Sequence, residues 1–114
     1  STPETRHLLN ADAFAQMKPG AIVINGSRGA IIDEAALLHA LDTDQIRAAG
    51  LDVFATEPLP VESPLRTHPK VVALPHIGSA THETRYAMAE MAVTNLLQVL
   101  EGEKPAGWFD LGKA

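Results

Sequence analysis

Apolar positions along this chain change period repeatedly, and the change marks out its elements. Residues 21–24 (Ala-Ile-Val-Ile) form an unbroken, mostly β-branched run, the pattern of a strand buried on both faces. Residues 48–54 (Ala-Ala-Gly-Leu-Asp-Val-Phe) predict a second buried strand, and residues 71–74 predict a third, stopped by Pro75. Between them the period turns helical. Asn10 can cap a short helix over 11–17, with Asp12 in its first turn, and Lys18-Pro19-Gly20 ends it. Asp33 can cap a second helix over 34–41, with Leu37, Leu38 and Leu41 on one side. A third helix, capped by Ser79 or Thr81, runs to about residue 100 and is stopped by Gly102. Met88, Met91, Ala92, Leu96 and Val99 recur along it at three- and four-residue steps, which predicts one apolar face and core positions for both methionines. Residues 55–70 hold prolines at 58, 60, 64 and 69, and are expected to be extended and non-helical. Residues 103–114, with Trp108 and Phe109, carry no period.

Strands alternating with helices predict an α/β fold on a parallel sheet. Three strands make a thin sheet, and the chain opens Ser1-Thr2-Pro3 without an initiator Met. Both features favour half of a doubly wound domain over a complete one. Composition narrows the function. At 114 residues, 46% hydrophobic and 20% charged, the chain suits a folded domain. Nine Lys+Arg against fourteen Asp+Glu give a net charge of −5, which lacks the basic footprint of a nucleic-acid or anionic-membrane binder. With no cysteine, disulfides, thiolate metal sites and a thiol nucleophile are excluded. No signal pattern or bilayer-length apolar run is present, so a cytoplasmic location is expected.

Ligands in open α/β sheets sit beyond the carboxyl ends of the strands, so the residues following each strand carry the candidate chemistry. After the first come Ser27, Arg28 and Gly29, and at the end of the second comes Asp52, with Glu57 shortly after. After the third come His76 and Gly78. Arginine offers a two-pronged fork for a carboxylate or phosphate. Histidine exchanges a proton near neutral pH, and a carboxylate beside it orients the ring and favours its protonated form. Together they suit work on a small acid bearing a carbonyl or hydroxyl group. Singly, each has a plainer reading: Arg28 and Glu57 as solvated charges, Asp52 as a turn former, His76 as a hydrogen-bonded loop residue. His7, His39, His68 and His82 lack metal-ligand spacing. Ser27 and Ser79 lack a nucleophile-elbow context, and no G-x-G-x-x-G or P-loop occurs.

Three ordered motifs resemble the D-2-hydroxyacid dehydrogenase family: Asn25-Gly26-Ser27-Arg28-Gly29 followed by Ile31-Ile32-Asp33-Glu34; Ala49-Gly50-Leu51-Asp52-Val53-Phe54 with Glu57-Pro58-Leu59; and Pro75-His76-Ile77-Gly78-Ser79-Ala80-Thr81. The run over 76–86 is most similar to the glyoxylate/hydroxypyruvate and 2-ketogluconate reductases of that family. The likeness covers residues 2 to about 102. It implies that residues 1–102 are the C-terminal half of a Rossmann-like NAD(P)-binding domain, with 103–114 a tail leading back towards a substrate domain. It also implies roles. Arg28 would hold the carboxylate of a 2-oxo acid, and His76 would protonate its carbonyl oxygen as a nicotinamide delivers hydride. Glu57 would keep His76 protonated, and Asp52 would hydrogen-bond the nicotinamide end of the cofactor. Ser27, Arg28, His76 and Gly78 would lie along the cofactor, NAD or NADP. Ser27 departs from the Ala or Gly common in the family at that place.

The implied protein is an oxidoreductase, a cytoplasmic homodimer whose partners are small 2-oxo and 2-hydroxy acids, with no nucleic acid and no membrane. The 114-residue piece by itself would be inactive. Two other classes compete. A non-catalytic binding or regulatory module on the same half-fold need not keep Arg28, Glu57 and His76 together. An isomerase would use the acid/base pair without nicotinamide.

Overall fold

In the computed structural model, which describes residues 2–105 and 107–108, three short parallel strands carry the chemistry-bearing loops. They are β1 (Ala21–Asn25), β2 (Ile46–Leu51) and β3 (Val71–Ala73), paired in the order β1-β2-β3. Ile24 lies opposite Gly50, and Gly50 opposite Val72, so the carboxyl ends of all three strands finish at one edge. The α/β fold and parallel sheet expected from the alternation are what the chain forms.

Helix α1 (Ala11–Gln16) starts where the Asn10 side chain accepts from the Ala13 N–H at 3.0 Å. At its end two carbonyls take a donor from 31 and 28 residues away: Gln45 Nε2 reaches the carbonyls of Phe14 (3.0 Å) and Met17 (2.9 Å). Helix α2 (Glu34–Asp42) is the crossover between β1 and β2. Asp33 caps it by accepting from both Ala35 and Ala36 N–H. Leu37, Ala40 and Leu41, spaced for one helical face, are buried on it. They join Phe14, Val23, Ile46 and Leu51 in a single core.

Three expectations about residues 21–70 need correction. Residues 21–24 are not buried on both faces: Val23 and Asn25 point inward, but Ile22 and Ile24 are 53% and 81% exposed. An apolar run records affinity for burial, and the layer formed by α1 and α2 covers only one face. The second strand begins and ends earlier than 48–54. Residues 52–54 have left the ladder, yet Val53 and Phe54 stay buried, so their apolar character comes from packing rather than pairing. The proline-rich connection is not wholly extended, since Pro64–Arg66 forms one helical turn. Proline at the first helical position costs no hydrogen bond, because that N–H is unpaired in any helix.

These features lie in a compact unit of residues 1–78; residues from 79 onward form a second. In the second, α3 (His82–Leu100) starts where Thr81 Oγ1 accepts from the Thr84 N–H at 3.1 Å. It buries none of its residues, and Met88 and Met91 are exposed rather than in a core. The stripe expected along 88–99 meets no apolar layer within its own unit. After it, Lys104 stands 5.8 Å over the Trp108 ring; Phe109 lies outside the described residues. No helix among the described residues is long and apolar enough to cross a membrane.

Candidate functional site

Each strand ends in a loop whose conformation is held by a side chain, and the three loops converge on the carboxyl edge of the sheet. β1 ends at Asn25, buried in an otherwise polar turn. Asn25 Nδ2 donates to the Arg28 carbonyl at 2.9 Å, and Oδ1 accepts from the Ser27 N–H at 3.1 Å. An Asn or Asp side chain that mimics backbone pairing in this way fixes a tight turn. Ser27 Oγ lies 3.3 Å from the same Oδ1 and accepts from the Arg28 N–H at 2.6 Å. The Ser27 hydroxyl is therefore spent on shaping the loop, which fits the absence of a nucleophile motif around it.

The Arg28 side chain is exposed and donates through Nη1 to the Ser27 carbonyl at 2.7 Å. Among the described residues it enters none of the ion pairs. A guanidinium carries five N–H donors, so most of its fork remains for an incoming anion. Gly29 follows at a very close approach. A Cβ there would stand 1.9 Å from the Phe54 carbonyl carbon and 2.4 Å from the Ala55 nitrogen. The Arg28 loop thus rests backbone to backbone on the segment leading to Glu57.

Asp52 directly follows β2 and is buried, and its N–H donates to the Asn25 carbonyl at 2.9 Å. Its carboxylate takes two backbone donors: Ile77 N–H at 2.8 Å on Oδ1 and Gly78 N–H at 2.7 Å on Oδ2. A Cβ on Gly78 would lie 3.1 Å from that Oδ2, close enough that the carboxylate would have to give by a few tenths of an ångström to admit it. The same turn sets His76 in the left-handed region, with φ 55°. Histidine is among the few non-glycine residues enriched there.

The third loop brings His76 to Glu57, with Nδ1 and Oε2 2.8 Å apart. Glu57 Oε1 also accepts from the Phe54 N–H at 3.0 Å. The hydrogen bond from His76, then that from Phe54, hold the Glu57 carboxyl below the usual carboxylate range, and the Arg28 charge adds a smaller push the same way. Glu57 is thus ionised at neutral pH and can only accept. The shared proton therefore sits on Nδ1, and Nε2 is the nitrogen left to react. The sign of the pH dependence follows: this carboxylate's contribution is complete above the ordinary carboxylate range and is lost as pH falls through the lowered value. Beside the pair opens a cleft of about 730 Å³, lined by Phe54, Glu57, Leu59, Arg66, Pro75 and His76.

Glu57 and His76 are in direct contact, and Asp52 and Gly78 are in direct contact. Ser27 and Arg28 are hydrogen-bonded to each other, and among the described residues no hydrogen bond or ion pair joins either to His76. Asn25 and Gly29 were visible in the sequence only as parts of a loop motif. An Asn-Gly pair at a strand end is a recognisable turn signal, whereas the close approach at Gly29 leaves no local trace. Glu34 was also silent: its Oε1 accepts from the Ala55 N–H at 2.7 Å, across 21 residues.

A nicotinamide dinucleotide fits this edge. Asp52 is a buried acceptor that gives each oxygen one donor and keeps lone pairs for an amide N–H. Gly26, in the loop that follows β1, faces open space, with nothing within 4 Å of where a Cβ would stand.

Comparison with known proteins agrees. Residues 1–78 match the model of the D-isomer specific 2-hydroxyacid dehydrogenase NAD binding domain. A curated relative, glyoxylate/hydroxypyruvate reductase B of Citrobacter koseri, is 62% identical over 102 residues, which is 90% of this chain and 32% of that protein. Among solved structures, a D-lactate dehydrogenase from Treponema pallidum superposes with a TM-score of 0.88 at 33% identity, covering 97% of this chain and 38% of that one. An NADPH-dependent glyoxylate/hydroxypyruvate reductase from Sinorhizobium meliloti, solved with NADP and malonate, gives 0.79 at 43% identity, covering 85% and 30%. The chain spans about a third of the length of the curated relatives it matches. A family model matched over most of the chain, on a fold shared with these structures, leaves one assignment: the chain belongs to the D-isomer specific 2-hydroxyacid dehydrogenase family, through its NAD-binding domain.

Proposed function

We propose that this chain is the histidine-bearing half, residues 1–102, of the nucleotide-binding domain of an NAD(P)H-dependent reductase. Its substrates are small 2-oxo acids such as glyoxylate or hydroxypyruvate, and its products are D-2-hydroxy acids. The observation that carries the reading is the Glu57–His76 contact at 2.8 Å, at the carboxyl edge of a parallel sheet, with an exposed arginine on a neighbouring loop that enters no ion pair among the described residues. A non-catalytic module has no need of that ion pair. Residues 103–114 are read as the return towards a substrate domain, and the whole protein as a cytoplasmic homodimer.

The residues divide the work by their chemistry. Arg28 pairs with the substrate carboxylate, since two parallel N–H donors match two carboxylate oxygens. Glu57 holds Nδ1 of His76, which aims Nε2 at the carbonyl oxygen. The protonated ring donates from Nε2 to that oxygen as the C=O bond is reduced. The nicotinamide, when bound, supplies the hydride to the carbonyl carbon. Asp52, Gly78 and the backbone at Ser27 and Arg28 border the place where it would lie. In the opposite direction neutral Nε2 takes the hydroxyl proton.

Two measurements on the full-length enzyme test this. Arg28→Lys replaces a planar fork by a point charge. A drop in kcat/KM for glyoxylate of roughly tenfold to a hundredfold is expected, with NAD(P)H affinity unchanged within about threefold. Full retained activity removes Arg28 from the carboxylate site.

Glu57→Gln removes the charge that favours the imidazolium, and an amide cannot accept on both arms as the carboxylate does here. Reduction requires the charged ring, so its rate falls as rising pH removes the proton to be donated. In Glu57→Gln that falling limb moves to lower pH, and Glu57→Asp moves it less. An unmoved limb in Glu57→Gln returns this residue to the role of a loop charge.

A further inference from the structure

Asn25 and Asp52 are the two buried polar side chains among the described residues. They stand one residue out of register at the ends of neighbouring strands, Asn25 opposite Leu51 and Asp52 just beyond it, and are joined by the Asp52 N–H to Asn25 carbonyl bond at 2.9 Å. Burying such groups is unfavourable unless every polar atom is paired, and each pairs almost wholly with the backbone of a different loop. Asn25 takes the Ser27 N–H and gives to the Arg28 carbonyl. Asp52 takes the N–H groups of Ile77 and Gly78, the two residues after His76. Neither side chain has a hydrogen bond to the other's loop.

We infer that Asn25 and Asp52 are a matched pair of positioning residues with separate charges. Asn25 sets the Arg28 loop and so the binding of the substrate carboxylate. Asp52 sets the left-handed turn at His76 and so the proton transfer. For Asp52 this is a task beyond contact with a cofactor. Both its oxygens are already engaged, at 2.8 and 2.7 Å, in bonds of the short, charge-assisted kind. His76 sits at φ 55°, a conformation that persists only where surrounding contacts hold it. The inference rests on reading the site as a 2-oxoacid reductase, because that reading gives the two loops different steps.

The consequence is a split between KM and kcat, tested in the full-length enzyme. Asn25→Asp keeps the acceptor for Ser27 but sets a carboxylate oxygen against the Arg28 carbonyl. KM for glyoxylate is expected to rise about tenfold, with kcat and NAD(P)H affinity within about threefold. Asp52→Asn sets an NH2 group against one of the two N–H donors. Here kcat is expected to fall roughly tenfold to a hundredfold, with KM for glyoxylate within about threefold. The nitrogen and proton signals of the His76 ring, recorded without cofactor or substrate and identified from their loss in His76→Asn, move in Asp52→Asn and stay in place in Asn25→Asp. Asp52→Glu keeps the carboxylate and recovers part of kcat. Should Asp52→Asn not fold, Asp52→Glu is read in the same way, with smaller displacements of kcat and ring signals.

Weakened NAD(P)H binding in Asp52→Asn with unmoved His76 signals overturns the inference and leaves Asp52 as a cofactor contact. Equal losses of kcat and KM in both variants overturn it as well. A wild-type enzyme that turns over no 2-oxo acid defeats the functional reading instead. The His76 ring signals then still decide whether Asp52 positions the histidine.

Discussion

His76→Asn in the full-length enzyme is expected to lower kcat/KM for glyoxylate reduction by about 10²- to 10⁴-fold, the range supplied by a positioned general acid. Asparagine is the informative replacement. His76 stands at φ 55°, a region that asparagine enters more readily than most residues, so the backbone bonds from Ile77 and Gly78 to Asp52 can survive the change. What is lost is the ionisable ring whose Nδ1 lies 2.8 Å from Glu57. NAD(P)H affinity is expected to stay within about threefold, and the fall in rate with rising pH that His76 causes should vanish. Steady-state kinetics across pH, with cofactor binding followed by fluorescence, provide the check. A variant that kept its rate and its fall with rising pH would show that another group donates the proton.

Gly29→Ala is expected to be the most damaging single methyl group in the molecule. The added Cβ would stand 1.9 Å and 2.0 Å from the Phe54 carbonyl carbon and oxygen, and 2.4 Å from the Ala55 nitrogen. These are backbone atoms, so no side-chain rotation relieves the overlap. The segment that would have to retreat also donates from Phe54 N–H to Glu57 and from Ala55 N–H to Glu34. Overpacking a core costs about 1–3 kcal/mol where side chains can yield. Here about 3 kcal/mol or more is expected, a fall in melting temperature of roughly 6–12 °C for a domain of 150–250 residues. Gly26→Ala is the control. It lies in the same loop with nothing within 4 Å of its built Cβ, and its change should stay within about 0.5 kcal/mol. Thermal melts of both variants of the full-length enzyme decide it. Equal melting temperatures would refute the close approach at Gly29.

Both predictions rest on positions the sequence marks unequally. His76, Glu57, Arg28 and Asp52 could be picked out because a residue just past a buried strand falls at the ligand edge of a parallel sheet. Their order in the chain therefore carried spatial information. The pairing of Glu57 with His76 spans 19 residues and came only from the family resemblance, because no local rule ties a loop carboxylate to a histidine on the next loop. Gly29 gave no sign of its importance. A glycine in a loop reads as a flexible turn, and only the tertiary structure sets the Phe54 carbonyl against it.

The α/β class, the three strands and the Asn10 and Asp33 caps were legible from the chain, and of the two candidates for the third cap, Ser79 and Thr81, the structure uses Thr81. Hydrophobic period and capping chemistry act over a few residues, and those interactions are complete within the segment that encodes them. Burial was not legible to the same degree. Ile22 and Ile24 belong to a fully apolar run, yet face outward, because exposure depends on whether another layer is present on that side. The methionine stripe on α3 misleads in the same way. The tertiary structure also decided which side chain fastens which loop. Asp52, expected beside a cofactor, accepts from the two N–H groups after His76, and Asn25, marked in the sequence only as part of a motif, bonds to the backbone of the arginine loop. Those assignments depend on which backbone N–H groups arrive near a buried acceptor, a matter settled by the register of β1, β2 and β3 and by no residue alone.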